Sequence, residues 1–178
     1  MSAMLFGGSP APAPANAAPG APAADIECPP VEIRQGTSTL TASATGVEPT
    51  ATNLRYQVTI AQTARECAVL GATLTIKVGV QGRVILGPAG SPGSIDVPVR
   101  LALVREGIEP KTVWTKLYKV PVVIPPGQTN VPFLHIEEDL TVPVPSSADL
   151  DAYVVYAGFD PLAAKEPRKP AKKQPRQK

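Results

Sequence analysis

The sequence predicts an all-β fold, an antiparallel β-sandwich framed by two disordered arms. Three observations carry this prediction. Apolar and polar side chains alternate with a period of two through the middle of the chain. Gly- and Pro-rich turns separate these runs at short intervals. No amphipathic-helix spacing competes with the alternation.

The elements follow in order. Residues 31–34 and 38–42 read as short opening strands. Leu54, Tyr56, Val58 and Ile60 then alternate with Arg55, Gln57 and Thr59. Ala72, Leu74, Ile76, Val78 and Val80 form the next apolar row, and Gly82 interrupts it before Val84 as a bulge would. Ile95, Val97, Val99, Leu101 and Leu103 make another stripe, opposed by Asp96, Pro98 and Arg100. Each set places one face on a core and one toward water. Residues 113–124 form a β-branched run with Trp114 and Tyr118 on one face, and Pro121 within it argues for an edge or a bulge. Residues 131–142 and 152–159 close the series. Loops fall at 87–93, 106–110 and 125–127. This spacing predicts a sandwich of about 7–9 strands, immunoglobulin-like or related, with a small closed barrel as the alternative. The core must be aliphatic, because aromatic residues make up only 4 % of the chain.

Composition divides the 178 residues into three parts. Residues 1–25 are an Ala/Pro-rich tether, 26–161 the sandwich domain and 162–178 a Lys/Pro-rich tail, both arms being predicted to be disordered. The tail holds Lys165, Arg168, Lys169, Lys172, Lys173, Arg176 and Lys178 against Glu166 alone, a charge of +6. The other ten basic and fourteen acidic residues leave −4 on the rest, so the net +2 hides an acidic body with a basic tail. Clustered cations on a proline-stiffened chain seek polyanions. No aromatic residues interleave them, so base stacking and specific nucleic-acid recognition are not suggested.

The two cysteines, Cys28 and Cys67, match no zinc, CxxC or haem spacing. The isolated pair suits one disulfide, and two separate buried thiols are the other reading. A bridge would close a loop of about 40 residues, contribute about 4 kcal/mol in the chain-entropy model and imply an oxidising compartment. No segment has the roughly 18 apolar residues that span a bilayer. The first residues lack the basic and apolar regions of a signal peptide, which taken alone predicts a cytoplasmic protein.

Chemistry-bearing patterns are few. The single histidine lies in Phe133-Leu-His-Ile-Glu-Glu-Asp139. Strand parity groups His135 with Glu137 and Asp139, and Leu134 with Ile136. Such a row could bind a divalent ion or act as a base. Ligands about 6 to 7 Å apart along a strand do not converge on one metal, so a solvated polar face is expected. No G-x-S-x-G is present, and a catalytic triad would have to be built on His135. Gly87-Pro-Ala-Gly-Ser-Pro-Gly93 lacks the Lys-Ser/Thr of a phosphate loop. Asp25, Glu27 and Glu32 are isolated acids. No catalytic residue, metal or cofactor is assigned.

Cys28-Pro-Pro-Val-Glu-Ile-Arg, Gln62-Thr-Ala-Arg-Glu-Cys67, Lys77-Val-Gly-Val-Gln-Gly-Arg-Val-Ile-Leu-Gly-Pro88, Pro125-Pro-Gly-Gln-Thr-Asn-Val-Pro132 and Asp151-Ala-Tyr-Val-Val-Tyr156 carry a resemblance. They resemble small cell-envelope proteins and lipoproteins of alphaproteobacteria that have no assigned activity. The resemblance implies a periplasmic or outer-membrane-anchored location. Residues 1–25 are similar to the tether that follows a lipoprotein signal in that group. This sequence has no lipid-acceptor cysteine there, and the resemblance implies a signal preceding Met1.

The function expected is a non-enzymatic structural or adaptor protein of the envelope. Its tail would contact an envelope polyanion, with an envelope protein as the other candidate partner and a possible membrane tether. The alternative is a module binding carbohydrate or a partner peptide through loops 87–93 and 106–110, an exposed edge strand, or a concave patch exposing Trp114 or Tyr118. An enzyme would need His135 in a pocket with a nucleophile.

Overall fold

The computed structural model describes residues 26–44 and 47–164. The two arms predicted to be disordered, including the basic tail from Lys165 onward, lie outside these residues. Eight strands form: β1 (Val31–Ile33), β2 (Thr39–Ser43), β3 (Leu54–Leu70), β4 (Thr73–Leu86), β5 (Gly93–Arg105), β6 (Lys111–Ile124), β7 (Asn130–Pro143) and β8 (Tyr153–Phe159). Two helical turns, α1 (Ser147–Leu150) and α2 (Pro161–Ala164), flank β8. Residues 162–164, which composition placed in the tail, belong to α2, so the described fold runs to Ala164.

The strands make two four-stranded sheets, ordered β1-β8-β5-β6 and β2-β3-β4-β7. Among the described residues only β1 and β8 pair in parallel; the other pairings are antiparallel. The constant-type immunoglobulin sandwich keeps its first two strands in one sheet. Here β1 and β2 lie in different sheets, so this is a related sandwich with its own strand order.

The alternation seen in the sequence builds the core. Leu74, Ile76, Val78, Val80 and Val84 of β4 are buried, facing Val97, Val99, Leu101 and Leu103 of β5 and Val155 of β8. The core is aliphatic apart from Phe133 and Phe159, whose ring centroids lie 6.4 Å apart. Pro121 sits in β6, an edge strand, as its missing N–H requires.

Gly82 does not bulge β4. The buried row runs unbroken from Leu74 through Gly82 to Val84. The extra residue is Ala61 of the partner strand, since Ile60 pairs with Gly82 and Gln62 with Gln81. Glycine is required at 82 because a Cβ there would lie 2.6 Å from the Phe133 ring and overlap the Thr59 carbonyl oxygen. Past Ala61 the faces of β3 switch, and Cys67 and Val69 turn toward the core.

Cys67 is bonded to Cys28, with Cα atoms 5.6 Å apart. The bridge ties the segment before β1 to the long strand of the other sheet. Arg65 reinforces the junction by donating from Nε to the Cys28 carbonyl at 3.2 Å. Closing this 39-residue separation contributes about 4 kcal/mol in the chain-entropy model.

Candidate functional site

A groove of about 460 Å³ opens on the outer face of the β1-β8-β5-β6 sheet. Its position follows from a turn. Thr37 N–H donates to the Arg34 carbonyl at 3.0 Å, and Gly36 between them has φ +78°. That left-handed position demands glycine. The turn is bound to β8 through Arg34 N–H to the Ala157 carbonyl and Phe159 N–H to the Thr37 carbonyl. Thr37 presses over Gly158, where any Cβ would collide with its hydroxyl. The opposite wall is α2, capped by Asp160, whose Oδ1 accepts from the N–H groups of Leu162 (3.0 Å) and Ala163 (3.3 Å).

Two guanidinium groups enter this groove with different partners. Arg100 of β5 gives Nε and Nη2 to Asp160 Oδ2 at 2.9 and 2.8 Å, and Nη1 to Thr115 Oγ1 at 3.5 Å. Burial pushes the Asp160 carboxyl up, but the Arg100 hydrogen bond, the two α2 N–H groups and the Arg100 charge together hold it below its usual value. Arg34 lies over the Tyr156 ring, 4.8 Å from its centroid, and has no ion pair among the described residues. The Tyr156 hydroxyl donates to Glu106 at 2.6 Å, and this bond, more than burial, raises its pKa. Small residues, Ala102 and Gly158, form part of the lining.

A second polar group lies where β6 and β7, the edges of their sheets, face each other. His135 and Glu137 point inward there, and Leu134 and Ile136 point out, 61 % and 47 % exposed. The expected solvated polar face is therefore inverted. The row that includes Phe133 is the one the core claims, and His135 and Glu137 share its parity. Asp139 leaves the row, because β7 bulges where Val78 pairs with Glu137 and Ile76 with Leu140. The His135 ring packs on Tyr118 at 4.1 Å between centroids. Glu137, only 3 % exposed, accepts from the Asp139 N–H at 2.6 Å and has Lys116 Nζ 3.8 Å from its other oxygen. Burial, then the Lys116 charge, pushes the His135 pKa below its ordinary value. The Tyr118 hydroxyl, His135 Nε2 and Glu137 Oε2 are buried without a hydrogen-bond partner among the described residues. Lys116, Tyr118, His135 and Glu137 do not line the groove. The described residues contain no group of three or more His, Cys, Asp or Glu able to hold a metal ion.

The remaining expected sites do not converge. Loops 87–93 and 106–110 lie at opposite ends of β5 and cannot form one site. Gly87 and Ala89 are bonded to the Arg55 and Leu54 carbonyls, pinning the first loop to β3. From the second loop, Glu106 reaches the groove's Tyr156. Trp114 and Tyr118 are half-buried on the core side of β6 and make no exposed concave patch. The seven basic residues from Lys165 to Lys178 lie outside the described residues. Sequence reasoning missed Arg34, Arg100 and Tyr156, which are far apart in the chain. The turn glycine Gly36 beside Arg34 was the only local signal.

Fold and site together define an all-β sandwich with a cationic groove on one outer face. No family model matches the chain, and no curated protein or solved structure is significantly similar to it.

Proposed function

We propose that this chain is a non-enzymatic adaptor of the bacterial cell envelope. The sandwich is its rigid body, and the tail, 165–178, contacts an anionic envelope surface. The observation that carries this reading is the +6 tail attached to a body of −4. A solubilising role alone would not require the charge to be gathered at one end. Two features support it. The Cys28–Cys67 bridge suits an oxidising compartment. The described fold also ends at α2, whose Pro161 lines the groove that holds the unpaired cation Arg34.

The test is retention on cell-wall or membrane fractions. A chain ending at Ala164 keeps every described element and loses the seven tail cations. Its retention at low ionic strength should fall sharply, and the retention of the full chain should fall as salt is raised. Equal retention of the two forms would end the proposal.

A second reading, a ligand-binding module, is favoured by the groove, whose volume falls in the range of about 300–1,000 Å³ typical of small-molecule sites.

A further inference from the structure

We infer that the groove between the Arg34 turn and α2 binds a small, hydroxylated organic anion: a monosaccharide unit bearing a carboxylate or a phosphate. This deepens the ligand-binding reading and does not depend on the tail.

The charged groups of the groove can be accounted for one by one. Asp160 is spent: Arg100 takes one oxygen, and the N–H groups of Leu162 and Ala163 take the other. Arg100 is spent on Asp160 and Thr115. Their charges cancel. The Glu106 carboxylate receives the Tyr156 hydroxyl. Arg34 is left as the cation without a counter-ion among the described residues. Its contact with the Tyr156 ring places the guanidinium over the ring and uses none of its five N–H donors. A planar fork held in this way and still unpaired fits a carboxylate or phosphate group.

The hydroxyls define the rest of the ligand. Thr37 Oγ1 donates its proton to the Arg34 carbonyl at 2.7 Å, and Thr115 Oγ1 donates to the Leu101 carbonyl at 3.0 Å. With their protons committed, both oxygens meet a ligand as acceptors. A bare oxyanion offers them nothing, whereas a sugar's hydroxyls do. Ala102 carries only a methyl group, which leaves room for a ring in the groove, whereas the space over Gly158 is taken by Thr37. A cation for the acid group, acceptors for the hydroxyls and the open space at Ala102 occur together in one concavity.

The experiment is an NMR titration of the full chain at low ionic strength with glucuronate, glucose 1-phosphate and glucose. At least one anionic sugar should shift the amide signals of Arg34, Thr115 and Gly158 saturably, and which one binds identifies the acid group. Glucose should bind at least about tenfold more weakly, the factor expected for losing a charge-assisted hydrogen bond. Arg34→Gln should weaken the anionic sugar by a similar factor, and Arg34→Lys should restore part of the loss. Arg34 is exposed, so its replacement leaves the fold intact; the remaining spectrum checks this. Ala102→Leu fills the groove with Arg34 in place and should abolish binding independently. The inference is overturned if neither anionic sugar binds, if glucose binds equally well, or if Arg34→Gln changes nothing. Ending the chain at Ala164 should leave the Arg34-dependent shifts in place, so failure of the tail reading is distinguishable from failure of this one.

Discussion

His135 shows how a single residue couples burial to pH. Lys116 and Tyr118 face it from β6, Glu137 follows it on its own row, and Val80 of β4 is its register partner. Its folded pKa lies below the unfolded value of about 6.5, because burial and the Lys116 charge disfavour the imidazolium. The fold therefore binds the neutral form, and its stabilising contribution is complete above the unfolded pKa. That contribution is lost as pH falls from about 6.5 toward the folded value. Asp149, held below its usual value first by the Arg105 hydrogen bond, loses its pairing only at lower pH. The urea midpoint should thus fall between pH 7.5 and 5 in the native chain and fall less in His135→Phe, which keeps a ring against Tyr118. Equal pH dependence in both chains would show that His135 is not the group responsible.

Lys116 and Glu137 make a second residue-scale case. Lys116 is half-exposed and its contact with Glu137 is long, yet it is the cation nearest a carboxylate that is 3 % exposed. Lys116→Met should cost about 1–3 kcal/mol by leaving that charge uncompensated, and adding Glu137→Leu should recover most of the loss. A double-mutant cycle in urea measures this; no recovery would mean that the pair is not coupled. The sequence reading failed here because alternation assigns parity, not the identity of the inward face. Two apolar rows compete in β7. Phe133 wins because its ring has a seat over Gly82 and a partner in Phe159, which leaves Leu134 and Ile136 outside.

Among the elements, the strands were legible and their irregularities were not. The rows in β4 and β5 run as the alternation predicts, because aliphatic side chains at every second position can be buried only by a facing sheet. Alternation stopped at Ile60 in the sequence, but β3 continues to Leu70. A bulge at Ala61 changes the face while preserving the pairing, and periodicity cannot register that change. Gly82 was recognised as anomalous but explained wrongly. Its missing side chain makes room for a ring from the neighbouring strand. Gly82→Ala should therefore destabilise by about 1–3 kcal/mol through overpacking, read as a lower denaturation midpoint with an unchanged denaturant slope. A neutral substitution would mean that the Phe133 ring is not seated there.

For the whole molecule, the bridge and the charge layout matter most. The bridge could be anticipated from an isolated cysteine pair, and it now joins the N-terminal segment to the longest strand. Reducing it, or replacing both residues by serine, should cost about 2–4 kcal/mol, measured as a shift in the unfolding midpoint. An unchanged midpoint would mean that the loop it closes is already restrained without it. The groove was not legible, because Arg34, Arg100 and Tyr156 meet only through the β1-β8-β5 order, and no local pattern encodes that order. The gathering of charge at one end was plain from composition alone, and the functional proposal rests on it.

The most direct test is co-sedimentation of the full chain, and of a chain ending at Ala164, with anionic and zwitterionic vesicles at low and high salt. Only the full chain should pellet, only with anionic vesicles, and high salt should release it. Pelleting that is indifferent to the tail, to lipid charge or to salt would contradict a tail that contacts an anionic surface.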